Sequence, residues 1–124
     1  MISLEDIKRV RKNISNYIYK TPLVHSFALS KIDQRVSLKL ESMQITGSFK
    51  LRGAVNKLLS LSDEQKKRGV IAVSTGNHGK GVAYAAKQLG IKSKIFMSDL
   101  VPIHRRNAIE EFGANVEIVG TNSD

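Results

Sequence analysis

Apolar residues recur along this chain with two different periods, and the switches between them outline its elements. Ile7, Val10, Ile14 and then Tyr17 or Ile18 follow at helical spacing, the mark of a helix with one apolar face. Ser3-Leu4-Glu5-Asp6 just ahead reads as a capping box. Thr21-Pro22 is expected to end that helix, because the residue before a proline is pushed out of the α region. A loop or short helix is expected through Ile32. Val36, Leu38 and Leu40 alternate with Ser37, Lys39 and Glu41, the period of two that marks a strand. Thr46-Gly47-Ser48 reads as a turn that supplies an N-cap. Leu51, Ala54, Val55, Leu58 and Leu59 then return to helical spacing, with Lys50 at the start of that helix. Ser62 to Gln65 reads as the cap of another short turn.

From Val70 the pattern changes. Val70-Ile71-Ala72-Val73 is a continuous apolar run, expected to form a buried parallel strand. A helix is expected from about Asn77 to Leu89, with Gly90 as its C-terminal cap. Lys94 to Met97 reads as a strand. Pro102 opens a helix through Phe112, Gly113 closes it, and Val116 to Val119 reads as a further strand. Strand–helix–strand–helix–strand at these lengths gives an α/β class with a parallel twisted sheet, flanking helices and right-handed crossovers. A boundary near Lys66–Gly69 divides the chain into residues 1–66 and 67–124. The chain ends just after its last strand, so the fold is expected to be incomplete.

The 124 residues are 41% hydrophobic, enough for a packed core. No apolar run approaches the length of a membrane span. The N-terminus is acidic where a secretory signal would be basic and then apolar. There are no cysteines, hence no disulfide framework; a cytoplasmic protein is the expectation. The net charge of +9 raises the question of nucleic acid. Its basic residues are dispersed, however, the longest run is Lys66-Lys67-Arg68, and the aromatics do not interleave with them. The charge reads as a solvated surface, with neither nucleic acid nor membrane as partner.

Two strand-to-helix turns carry candidate chemistry. In the first, Lys50 places an amine at a helix start. In the second, Ser74, Thr75, Asn77 and His78 supply side-chain donors, and Gly76, Gly79 and Gly81 are expected to let the backbone approach a ligand. Unpaired N–H groups and the partial positive charge at that helix start suit a carboxylate or phosphate. Such a turn also occurs as a plain connection, and most lysines are merely solvated; the pairing of the two is what is informative. His25 and His104 are isolated and read as structural, and no His or carboxylate cluster has metal-ligand spacing.

The segment Gly47-Ser48-Phe49-Lys50-Leu51-Arg52-Gly53-Ala54, with Glu41 and Thr46 before it, resembles the cofactor-lysine motif of the threonine dehydratase and serine racemase family. These are fold-type-II pyridoxal 5'-phosphate enzymes with a tryptophan synthase β-like fold. Ser74-Thr75-Gly76-Asn77-His78-Gly79 resembles the family's substrate-carboxylate loop. Thr21-Pro22-Leu23, Leu100-Val101-Pro102 and Gly113-Ala114 fall where the family has similar residues. Within the family, the chain resembles most the dehydratases of ectoine and hydroxyectoine utilisation.

The resemblance implies roles for these residues. Lys50 forms the Schiff base with pyridoxal 5'-phosphate and then moves protons at the substrate Cα. Phe49 flanks the pyridine ring, and Asn77 donates to the cofactor's 3' oxygen. Ser74, Thr75, Gly76, Asn77 and His78 hold the substrate carboxylate. Residues 1–66 belong to the large cofactor-binding domain and 67–124 to the small one. The reaction implied is β-elimination on a small hydroxy amino acid such as L-threonine or L-serine, giving a 2-oxo acid and ammonia. A racemase, a hydroxyaspartate ammonia-lyase, a β-replacement enzyme and an inactive remnant or binding module are the alternatives. Thr75 stands where serine racemases carry a serine acid/base, and Lys80 where the family often has glutamine. Family members are more than twice this length and dimeric, and no tetraglycine phosphate loop occurs here. A chain ending at residue 124 is therefore expected to bind the cofactor weakly, to show little activity and to expose apolar surface.

Overall fold

The computed structural model describes residues 1–121. Helix α1, Leu4–Asn13, starts from the expected capping box: the Asp6 N–H donates to the Ser3 Oγ at 3.1 Å and the Ser3 N–H to the Asp6 carboxylate at 2.9 Å. It ends well before Thr21. Asn13, Ser15 and Asn16 offer the backbone alternative partners, and the Ser15 hydroxyl donates to the Lys12 carbonyl at 2.8 Å. A single 3₁₀ turn, Ser15–Tyr17, follows. The chain then forms strand β1, Leu23–His25, where a loop or short helix was expected. It pairs antiparallel with β2, Ser37–Lys39, with Leu23 opposite Lys39.

A 3₁₀ turn at Glu41–Met43 leads to helix α2, Lys50–Leu59. The turn expected at 46–48 is present, with Gly47 at φ 74°, but it does not cap α2. Phe49 occupies the N-cap position without a side-chain bond, and Ser48 Oγ reaches the Lys50 N–H only at 3.4 Å. Leu51, Ala54, Val55 and Leu58 form the buried face of α2, as their spacing predicts. Helix α3, Asp63–Arg68, opens on a second capping box between Ser62 and Gln65.

Strands β3 (Val70–Val73), β4 (Ser93–Met97) and β5 (Asn115–Ile118) form a three-stranded parallel sheet in that order. Helices α4 (Asn77–Gln88) and α5 (Ile103–Glu111) connect them. The α/β class with a parallel sheet and flanking helices is thus observed. Gly90 and Gly113 close the two helices with positive φ. Ile95, Met97, Val116, Ala83, Ala86 and Ile109 belong to one core that also takes in the buried face of α2.

The run 70–73 is not buried on both sides. Ile71 and Val73 remain 70% and 79% exposed, because both connecting helices lie on the face taken by Val70 and Ala72. Alternation along the strand sends the other two side chains to the uncovered face, where Lys94 and Glu117 pair at 2.7 Å. Helix α2 packs along α4, so packing runs across the boundary at 66–67.

Candidate active site

Lys50 and one residue of the second turn, His78, line the same cavity. It has a volume of about 550 Å³ and runs along α2 from Phe49 to Leu61, bordered by β3 and by His78 and Val82 of α4. Phe49 and Lys50 line it from one side and His78 from the other, above a floor that includes Leu58 and Ile71. The order of elements explains the meeting. Lys50 opens α2, His78 lies in the first turn of α4, and Gly81 of α4 rests against the Lys50–Leu51 backbone, which brings the two N-terminal ends together. The Lys50 Nζ lies 5.1 Å from the centroid of the Phe49 ring, within cation–π range. Among the described residues no carboxylate forms an ion pair with it.

The second turn is organised by Ser74. Its Oγ accepts from the Gly79 N–H at 2.9 Å and the Gly76 N–H at 3.3 Å, which ties the loop to the first turn of α4. Thr75, Asn77 and His78 are exposed. Asn77 lines a different cavity of about 410 Å³, together with Gly76, Lys80, His104 and Arg105. The structure therefore groups Phe49, Lys50 and His78, and sets Gly76 and Asn77 beside α5.

The three glycines of this turn differ in what surrounds them. Only Gly76 is open, with nothing within 4 Å of where a Cβ would sit. A Cβ on Gly79 would come within 2.8 Å of Ile109 Cδ1, and one on Gly81 within 3.3 Å of the backbone of Lys50 and Leu51. Gly79 lets α4 settle on the core, and Gly81 lets it settle on α2.

Sequence reasoning also passed over an ion pair behind Lys50. Arg52 Nε and Nη2 donate to the Glu41 carboxylate at 2.8 and 2.7 Å, the fork-to-fork geometry that Arg favours. The Thr21 hydroxyl donates to the same carboxylate, and Lys39 Nζ donates to the Thr21 carbonyl. These bonds hold the Glu41 carboxyl at about 2, chiefly through the Arg52 guanidinium, with burial opposing. His25, read as structural, packs edge-on against Phe27 at 4.6 Å.

The chain belongs to the pyridoxal-phosphate dependent enzyme family, whose model matches residues 14–124. A Sinorhizobium fredii protein that carries a provisional threonine dehydratase name is 51% identical over 99% of this chain, which spans 37% of that relative. The catabolic L-threonine dehydratase TdcB of Staphylococcus aureus is 48% identical over 98% of the chain, which spans 36% of it. Among solved structures, serine racemase from Dictyostelium discoideum superposes with a TM-score of 0.89 at 37% identity, covering 96% of this chain and 40% of the racemase. The T.th. threonine deaminase gives 0.84 at 39% identity, covering 98% and 38%. The chain thus spans little more than a third of its relatives' length.

The residues present fit the aldehyde end of the family's cofactor. A primary amine condenses with an aldehyde only when it is accessible and uncommitted, and Lys50 is exposed to the cavity and free of carboxylate partners among the described residues. No helix among these residues is long and apolar enough to cross a membrane.

Proposed function

We propose that the chain supplies the amine and the carboxylate-binding turn of a pyridoxal-phosphate dependent ammonia-lyase. Its reaction is the dehydration and deamination of a small hydroxy amino acid, such as L-threonine or L-serine, to a 2-oxo acid and ammonia. The observation that carries the reading is the single cavity shared by Lys50 and His78. Relatives named as threonine dehydratase and threonine deaminase support it. Residues 1–66 are assigned to a large domain and 67–124 to a small one, in a cytoplasmic enzyme that is dimeric at full length.

Lys50, Phe49 and Asn77 would hold the cofactor, which when bound supplies an electron sink for charge developing at the substrate Cα. Lys50 is the base for the Cα proton, and its place in the cavity orients it. Ser74, Thr75, Gly76, Asn77 and His78 receive the substrate carboxylate at the start of α4, where the helix dipole favours an anion. Thr75 keeps its hydroxyl exposed beside this turn, which leaves it available to move a proton or to orient the substrate. Likeness to serine racemase favours a second reading, racemisation, in which Thr75 delivers the proton on the opposite face.

Borohydride reduction in the presence of pyridoxal 5'-phosphate, followed by peptide mapping, tests the reading. Label concentrated on Lys50 and absent from Lys50→Ala is expected. Label spread evenly over the other lysines would overturn it. Assay of 2-oxo acid release against racemisation by the full-length enzyme, with L-threonine and L-serine, separates the two reactions.

A further inference from the structure

Helix α2 begins without a capping side chain, and yet its first residue is the one whose amine must be held in place. An uncapped first turn leaves backbone N–H groups unsatisfied and tends to fray. The residues before it offer little regular structure: a 3₁₀ turn at 41–43, then the Gly47 turn. What fastens this first turn is Arg52. It reaches eleven residues back to Glu41 with two short bonds, both side chains largely shielded, at 30% and 17% exposure. Glu41 is in turn bonded to Thr21, and Thr21 to Lys39 in β2. Close by, the Gln44 amide clamps the Tyr19 backbone at both ends, at 2.8 and 3.0 Å. The segment leading to Lys50 is thus pinned to the β1–β2 side of the molecule at two points.

We propose that the Glu41–Arg52 pair is the positioning device for Lys50, setting the direction from which its amine enters the cavity. The proposal rests on the reading of Lys50 as the cofactor lysine. Arg52 also lines the Lys50 cavity and the adjoining basic cavity of about 830 Å³. Its bonds to Glu41 therefore also keep a cation from swinging into either space. A lysine at 52 would retain the charge but lose the two-pronged geometry.

The test is the share of reduced pyridoxyl label found on Lys50 relative to the other lysines of the wild-type sequence. It is compared among the wild type, Arg52→Lys, Glu41→Gln and Glu41→Asp. Ser62→Ala serves as a control, since it removes a cap far from Lys50. Loss of orientation costs reactivity steeply, so Arg52→Lys and Glu41→Gln are expected to cut the Lys50 share about tenfold. Label on the other lysines of the wild-type sequence should stay unchanged, any label on the new lysine at 52 being counted apart, and Glu41→Asp should recover part of the loss. Ser62→Ala should lower the unfolding temperature without changing the share. Circular dichroism confirms that each variant is folded. A selective wild type whose Arg52→Lys and Glu41→Gln variants are equally selective overturns this inference alone. An equal drop in Ser62→Ala also overturns it, because general loosening would then suffice. A wild type without preference for Lys50 overturns the functional reading and this inference with it.

Discussion

Gly81 of α4 lies directly against Leu51 of α2: a Cβ on Gly81 would stand 3.3 Å from the Leu51 nitrogen and Cα and from the Lys50 carbonyl carbon. The two turns that carry the candidate chemistry are joined here, backbone to backbone, with no side chain between them. Glu41 and Arg52 hold the start of α2 from one direction, and Gly81 lets α4 press on it from another.

Gly81→Ala should therefore destabilise the protein although alanine is the better helix former. The atoms it meets are backbone and cannot rotate away, so an overpacking cost of about 1–3 kcal/mol opposes a propensity gain of about 1 kcal/mol. Gly53, in α2, has nothing within 4 Å of a Cβ, so Gly53→Ala should stabilise by roughly 0.5–1 kcal/mol. Thermal unfolding of the two variants beside the wild type checks the opposite signs. A stabilised Gly81→Ala would show that the helices are not in close contact.

Gly69 marks a second constrained point, at the entry to β3. Its φ is 86°, and a Cβ there would lie 2.7 Å from the Lys92 carbonyl oxygen, which accepts the Val70 N–H at 2.9 Å. Gly69→Ala meets both an unfavourable backbone conformation and a clash with the first rung of the sheet. A loss of about 2 kcal/mol or more is expected in urea unfolding. A loss below about 0.5 kcal/mol would contradict the described entry to the strand.

Most helices were legible because their signals are local. The capping box at Ser3, apolar spacing in α2 and glycines after α4 and α5 all act within a few residues, whereas Ser62 to Gln65 read only as a capped turn where α3 forms. β1 was not, since three residues carry no readable period and the strand exists through its pairing with β2. The exposure of Ile71 and Val73 was hidden for a related reason: a run of four apolar residues does not say which face its neighbours cover. At the site, Lys50 and the 74–78 turn were legible as separate motifs. The roles of Gly79 and Gly81 were not, because a missing Cβ reads the same whether a ligand or another helix fills the space. The Glu41–Arg52 bond was equally hidden, spanning an irregular segment without a repeating pattern.

Ser74 and Thr75 are adjacent hydroxyls with different consequences. Ser74 Oγ accepts two backbone N–H groups at the start of α4, so Ser74→Ala should cost about 1 kcal/mol, the usual loss for a cap. Thr75 is exposed, so Thr75→Ala should change stability by less than about 0.5 kcal/mol. Under the proposed function both variants release less 2-oxo acid, the first through a loosened turn and the second through the lost hydroxyl. Unfolding of these variants and product release by the full-length enzyme carrying them check the split. A Thr75→Ala protein as active as the wild type would remove Thr75 from the site.

Acid should reach the Glu41–Arg52 pair in a defined window. The folded-state carboxyl is held at about 2, against an ordinary value of 4.5, chiefly by hydrogen bonds from Arg52, with help from Thr21 and the Lys39 charge. A depressed folded value means that the unfolded chain takes up the proton first. The pair's contribution is then complete above about pH 4.5 and is lost progressively as the pH falls toward 2. Asp6 titrates over the same window, held down at about 2 chiefly by the Ser3 hydroxyl, so the wild-type curve alone does not isolate Glu41. Comparison with Glu41→Gln does. That variant should be less stable near neutrality by about 1–3 kcal/mol, and its stability should fall less steeply between pH 4.5 and 2. Urea unfolding at a series of pH values measures both curves. If they run parallel through that interval, Glu41 is not held by Arg52 in solution, and the geometry that anchors the first turn of α2 is wrong.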